Sequence, residues 1–300
     1  LGQTYFEAGD YDNAKRVLNT ALKLQDSTGS RIGLYQIAIY TGDMKLAEEQ
    51  VAAVRGRRDE VDMATIRMFG AAYRGRFKES AELAIEVQNR MAALSRGPQA
   101  GQNLMALAIS EALAGLHEQA RKRAAAAYDE GLVNEAALDE RLVVAAITLD
   151  AAAARELLAP TLEEARKRGS QAAQEERSVR ALAAVAEKQP AEALKYIEPV
   201  TFDTSQTEEV MLWSIVKLQT GDLASAAKGL VWLTSRDARN NLSTTTPFAF
   251  ATLGRVQAQL GQKDEARRSY EKFFELWKDA DPDVPLLVQA RDEYGKLTGS

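Results

Sequence analysis

The sequence predicts an all-α protein, an α-α superhelix (solenoid) of about eight helical hairpins closed by a C-terminal capping helix. Three observations predict it. A Gly followed five residues later by a small residue recurs along the chain, at Gly9/Ala14, Gly42/Ala47, Gly75/Ser80, Gly115/Ala120, Gly221/Ala226 and Gly261/Ala266. The spacing is near constant: Gly9, Gly42 and Gly75 lie 33 residues apart, and Gly115 follows Gly75 by 40, as Gly261 follows Gly221. A period in this range marks stacked hairpins in which each repeat buries its apolar face on the next. Third, hydrophobic residues make up 46% of the 300, with seven prolines, enough for a continuous core and little suited to sheets.

Each Gly ends a first helix, where the left-handed conformation costs it little. Asp10, Asp43 and Asp222 follow directly, placed to accept from the unpaired N–H groups that open the second helix. The small residue one turn later lets two backbones approach. Leu18, Val51, Leu230 and Tyr270, then Ala21, Val54, Leu233 and Phe273, continue the same face at helical spacing. Two hairpins between Gly115 and Gly221 lack the Gly. One turns near Asp150 and continues through Ala154 and Leu158; the other turns near Lys188–Pro190 and continues through Ala193 and Ile197. The expected hairpins are 1–26, 31–56, 61–93, 99–130, 133–168, 171–200, 206–235 and 246–279, with a capping helix at 285–297. That helix carries Leu286, Leu287, Ala290, Tyr294 and Leu297 on one side and Gln289, Arg291, Asp292 and Lys296 on the other. The stack is expected to be open and elongated.

Leu1-Gly2, Tyr5, Gly9-Asp10-Tyr11, Ala14, Leu18 and Ala21 resemble the tetratricopeptide repeat (TPR) pattern from its middle onward. So do Leu253-Gly254, Gly261, Ala266, Tyr270 and Phe273. The middle repeats diverge, and the proline that often closes a repeat is largely missing. Residues 270–285, from Tyr270 to Pro285, with Leu286–Ala290 and Tyr294, resemble the C-terminal end of large bacterial serine/threonine protein kinases. The same sort of tail follows winged-helix regulator domains. These resemblances imply a protein–protein interaction module, the scaffold or sensor region of a larger bacterial signalling protein. A self-association module that dimerises an upstream domain is the alternative.

The formal net charge of −5 and a pI near 5.3 argue against nonspecific nucleic-acid binding, which needs a basic field. The basic runs Arg55-Gly-Arg-Arg58 and Arg121-Lys-Arg123 read as solvated helix faces or turns. Cysteine is absent, so disulfide and thiol chemistry are excluded, which fits cytoplasm and periplasm alike. The longest apolar run, Leu142–Leu149, is far short of the ~20 residues a membrane helix needs. No signal peptide is visible, and the chain starts inside an expected helix. It therefore reads as a fragment, with any anchor or catalytic domain upstream.

No catalytic residue, metal site or cofactor is predicted. His117 stands alone in a turn, whereas a metal site needs converging ligands and a general base needs a positioned partner. Asp279, Asp281 and Asp283 alternate as in a calcium loop, but the sixth and twelfth positions are Val284 and Ala290 instead of Gly and Glu. Asp283 reads instead as a cap before Val284-Pro285. Kinase and Walker motifs are missing. The lack of Gly/aromatic loop motifs disfavours an α/α-barrel enzyme with acids at its centre. Asn241-Leu-Ser243 fits a glycosylation acceptor, a match common by chance. Trp213, Trp232 and Trp277 read as packing between repeats. The polar stretch from Ser235 to Pro247 breaks the rhythm and reads as an insertion of no consequence.

The expected partner is a protein or peptide, with no nucleic acid and no membrane insertion; a second copy of the chain is an allowed partner. First helices line the concave side of such a solenoid. The register puts Gln3, Phe6 and Glu7, then Gln36, Ile39 and Tyr40, then Phe69, Ala72 and Tyr73, then Arg255 and Gln259 there. Aromatic groups would bury a peptide and amides would bond its backbone. Phe69 and Tyr73 have an equal claim to pack the neighbouring repeat.

Overall fold

The structure, a computed structural model, describes residues 2–129, 138–197, 202, 207–235 and 242–299. Among them are 17 α-helices and no strand. They pair in chain order: α1 (Gly2–Glu7) with α2 (Tyr11–Leu24), α3 (Thr28–Thr41) with α4 (Met44–Ala53), α5 (Glu60–Tyr73) with α6 (Phe77–Ala93), and α7 (Gly97–Leu113) with α8 (His117–Asp129). Then come α9 (Leu138–Ile147) with α10 (Ala151–Lys167), α11 (Ala172–Ala186) with α12 (Pro190–Ile197), α13 (Thr207–Gln219) with α14 (Leu223–Thr234), and α15 (Thr245–Gln259) with α16 (Lys263–Leu276). The last helix is α17 (Pro285–Thr298). First helices also pack on one another along the stack, α3 on α5, α5 on α7, α7 on α9, α9 on α11 and α11 on α13, so the protein is an all-α, TPR-like solenoid.

The turn chemistry explains the hairpins. Gly42 ends α3 with φ +73°, and the Asp43 N–H behind it donates to the Ala38 carbonyl at 2.9 Å. Asp43 Oδ1 then accepts from the Leu46 N–H at 3.0 Å, opening α4. Asp10, Asp222 and Asp150 cap α2, α14 and α10 in the same way. In the two hairpins without Gly, Leu149 (φ +54°) and Lys188 (φ +57°) take the left-handed conformation instead. The small residue after each turn is at most 2% exposed in all eight hairpins: Ala14, Ala47, Ser80, Ala120, Ala154, Ala193, Ala226 and Ala266. A larger group there would push the two helices apart.

The stack is not open along its length. It curls until its eighth hairpin meets its second, third and fourth. Trp277, Phe273, Val284 and Leu286 share one core with Met68 and Ala72 of α5 and with Leu104 and Ala112 of α7. The segment between α16 and α17 runs across the turns that end α5 and α7. Asp281 N–H donates to the Gly75 carbonyl at 3.1 Å, and Leu286 N–H to the Ala114 carbonyl at 3.1 Å. Arg74 pairs with Asp279 at 2.5 Å and Lys78 with Asp283 at 3.0 Å.

The closure corrects some sequence expectations, and the other residues singled out there take the places given below. Asp283 makes no cap: the N-cap of α17 is Val284, whose side chain carries no acceptor, and Asp283 serves Lys78 instead. The helix α17 covers hairpin eight and also reaches hairpin four. The end of the polar stretch is structural, because Leu242 is buried and its N–H donates to the Tyr40 hydroxyl at 2.7 Å. Residues 236–241, with the Asn241 acceptor, lie outside the described residues, as do 133–137 at the start of the fifth hairpin. His117 opens α8 and is half-buried, and this burial holds its pKa below the ordinary value, helped by Arg121. Trp213 and Trp277 are buried, while Trp232 is half-buried beside Phe202. The basic runs are engaged: Arg57 with Asp26, Lys122 with Glu118, and Arg123 with Glu111.

Candidate functional site

The curl decides what the inner face offers. Phe6, Gln36, Ile39 and Tyr73 are buried. Phe6 packs with Ala14 and Ile37, and Ile39 and Tyr73 join Leu242 in one apolar cluster. Tyr40 stacks on Tyr11 at 5.9 Å and meets Tyr73 edge-on at 5.3 Å. Phe69 is half-buried against two clusters, and Ala72 is buried. These residues therefore form core in place of an open groove: Leu242 and hairpin eight pack with Ile39, Tyr73, Phe69 and Ala72, while Phe6 is covered by the first two hairpins. Gln3 and Glu7 are exposed and bond to each other at 2.9 Å. Arg255 Nε donates to Glu293 of α17 at 2.7 Å, and Gln259 is exposed. The structure does not bring these ends together with the aromatic cluster into one site.

It forms a different site further along. A cavity of about 530 Å³, within the range of ligand pockets, lies between the first helices of hairpins four to seven and is bounded also by Ser243 and by Thr245 at the start of α15. Ile109 of α7, Val143 and Ile147 of α9, Val179 and Leu182 of α11, and Met211, Leu212 and Ile215 of α13 supply its apolar wall. Asp139 and Glu140 of α9, Glu175 of α11 and Glu209 of α13 supply its carboxyl groups. Each of these four sits in the first turn of its helix, where the partial positive charge of unpaired N–H groups favours an anion.

Three of the four carboxyl groups have partners. Arg168 Nη1 reaches Glu175 at 2.6 Å and Asp139 at 3.3 Å. Glu209 accepts from Gln174. Glu140 differs: its Oε2 is buried and has no hydrogen-bond partner among the described residues. Burial, and then the charge of Asp139, push its pKa from 4.5 up to about 7. Sequence reasoning missed this site because it lies in the hairpins that diverge from the repeat pattern. The signal was present as acids at the start of three successive first helices.

Comparisons with known proteins bear on the fold at its two ends. Residues 1–28 and 249–276 match the family model described as tetratricopeptide repeat. No curated protein matches the chain. The chain thus contains tetratricopeptide repeats in its first and last hairpins, joined by hairpins that keep the architecture while departing from the pattern.

Proposed function

We propose that this chain is a non-catalytic protein-interaction module that takes a short segment of a partner protein into the inner cavity. The observation that carries this reading is the cavity itself, walled by four successive first helices of a TPR-containing solenoid. Its apolar wall offers burial and its carboxyl groups offer orientation, the combination that peptide and ligand sites use. The exposed Gln3, Glu7 and Gln259, with Arg255, are proposed as further contacts on the inner side. The resemblance of residues 270–294 supports a role as the C-terminal sensor or scaffold region of a larger bacterial signalling protein, a serine/threonine kinase among the candidates. A hydrolytic reading has less support. Such chemistry pairs a protonated carboxyl with an available ionised one, and here Asp139 and Glu175 are held by Arg168 while Glu209 is held by Gln174.

The test is selection from a displayed random-peptide library on the intact chain, followed by affinity measurement on a variant with the cavity filled from Ser178, a lining residue of α11, Ser178→Trp. Enriched peptides should bind the parent and lose at least tenfold in the variant. No enrichment, or equal binding to both proteins, would sink the reading.

A further inference from the structure

The cavity has a charge pattern that selects among partners. Its described lining carries Asp139, Glu140, Glu175 and Glu209 and no Lys, Arg or His. This stands out in a chain with 38 basic residues, where surface acids such as Glu79, Glu86, Glu118 and Asp292 have a basic neighbour on their own helix or the turn before it. Arg168 bridges two of the four from outside the lining, and Gln174 brings no charge. Glu140 is left with a buried oxygen that accepts from nothing described. A buried carboxylate without a donor is costly, and a positioned N–H of a cation removes that cost.

We propose that the cavity takes an organic cation, with an ammonium or guanidinium group donating to Glu140 and an apolar stem lying along Val143, Ile147 and Leu182. Val143 and Ile147 follow Glu140 at helical spacing on α9, so head and stem meet their counterparts along one helix face. The inference rests on the cavity being the ligand site. Its source is a Lys or Arg side chain on a partner segment, or a free alkylamine; the chemistry at Glu140 is the same. The groups facing that head among the described residues are Asp139 on its own helix, Glu175 on α11 and Glu209 on α13, with the cation Arg168 paired to Asp139 and Glu175. At pH 8 Glu140 is ionised, since its pKa lies at about 7.

Methyl NMR on the intact chain tests this. The six methionines are Met44, Met63, Met68, Met91, Met105 and Met211, and among them only Met211 lines the cavity. At pH 8, n-hexylammonium and the peptide acetyl-Leu-Lys-Leu-amide are titrated against n-hexanol, hexanoate and acetyl-Leu-norleucine-Leu-amide. A cationic probe should shift the Met211 methyl saturably, bind at least tenfold tighter than its uncharged counterpart, and lose that preference in Glu140→Gln. That variant keeps the shape of the side chain while removing its charge and turning one acceptor into a donor. A tenfold advantage of the lysine peptide over the amine assigns the site to a partner's side chain; comparable affinity assigns it to free cations. Equal binding of charged and uncharged probes, a preference unchanged in Glu140→Gln, or an unmoved Met211 methyl overturns the proposal. Uncharged peptides that still bind the parent and fail on Ser178→Trp would leave the interaction reading standing while removing this one.

Discussion

The indole N–H of Trp277 donates to the main-chain carbonyl of Tyr73 at 2.9 Å, tying the end of the eighth hairpin to the end of α5 across 204 residues. The ring lies beside Phe273 (4.9 Å between centroids) and edge-on to Phe77 (6.0 Å), and the side chain is fully buried. This one residue satisfies a helix-end carbonyl and fills the space between the two ends of the curl.

Removing it should loosen the closure. Trp277→Ala is expected to cost about 3–5 kcal/mol, the usual range for a buried Trp truncation. It should also raise the radius of gyration measured by X-ray scattering. Urea denaturation gives the stability. An unchanged midpoint with an unchanged scattering profile would mean that the ends are held without Trp277.

Two glycines with the same backbone conformation should respond differently to alanine. At Gly42 (φ +73°) an added Cβ meets nothing within 4 Å, so Gly42→Ala should cost only the left-handed strain, about 1–2 kcal/mol. At Gly75 (φ +74°) the same Cβ would lie 2.6 Å from Ala280 Cβ and 2.8 Å from Trp277 Cδ2. Gly75→Ala should cost a further 1–3 kcal/mol from overpacking. Equal losses in parallel melts would contradict the contact between this turn and the Trp277–Ala280 segment.

Lys188 holds the left-handed position at the end of α11 with its side chain exposed. Its N–H donates to the Val185 carbonyl and that of Gln189 to the Ala184 carbonyl, the pattern a glycine usually closes. Lys188→Gly should therefore stabilise the protein by about 0.5–1 kcal/mol. A lower melting temperature would show that the lysine side chain contributes something the turn geometry does not reveal.

Glu111 is fully buried on α7, bonded by Arg123 at 2.9 and 2.7 Å and by Gln119 at 2.8 Å. Burial raises its pKa, and Arg123 opposes the rise. Arg123→Ala leaves the carboxylate without its counter-charge and should cost about 3 kcal/mol at pH 7.5. The loss should shrink at lower pH, because without Arg123 nothing opposes the upward push of burial and the carboxyl is more readily protonated. Denaturation at pH 7.5 and at lower pH checks this, and a pH-independent loss would point to packing alone.

Glu140 titrates in the opposite sense to a stabilising carboxylate. Its pKa rises from 4.5 to about 7 on folding, so the folded chain holds the proton more tightly than the unfolded one. The stability this provides is fully present below pH 4.5 and is lost as pH rises through about 7. Glu140→Gln should therefore match the parent near pH 4.5 and exceed it at pH 8. The gain is expected at about 1–2 kcal/mol, discounted for the group's partial exposure. A variant no more stable than the parent at pH 8 would mean that the ionised group is well solvated.

Much of the architecture was legible because the repeat is written in local chemistry. Gly42 followed by Asp43, and Ala47 one turn on, state a helix end, a helix start and a close approach within six residues. Even where Leu149 and Lys188 replace the Gly, Asp150 and the buried Ala154 and Ala193 hold the pattern. The site was less legible. Register puts Phe6, Ile39 and Tyr73 on first helices, and all three are buried, but whether such a residue meets solvent or another hairpin depends on the curl.

By itself, then, the chain's residue order determined the helices, their turns and their pairing, since each is settled by contacts within one repeat or between adjacent ones. Tertiary structure alone decided the closure through Trp277 and Leu242, and with it which stretch of the inner face is sealed and which stays hollow. The reason is that small rotations between successive hairpins accumulate over the stack, and no local motif encodes their sum.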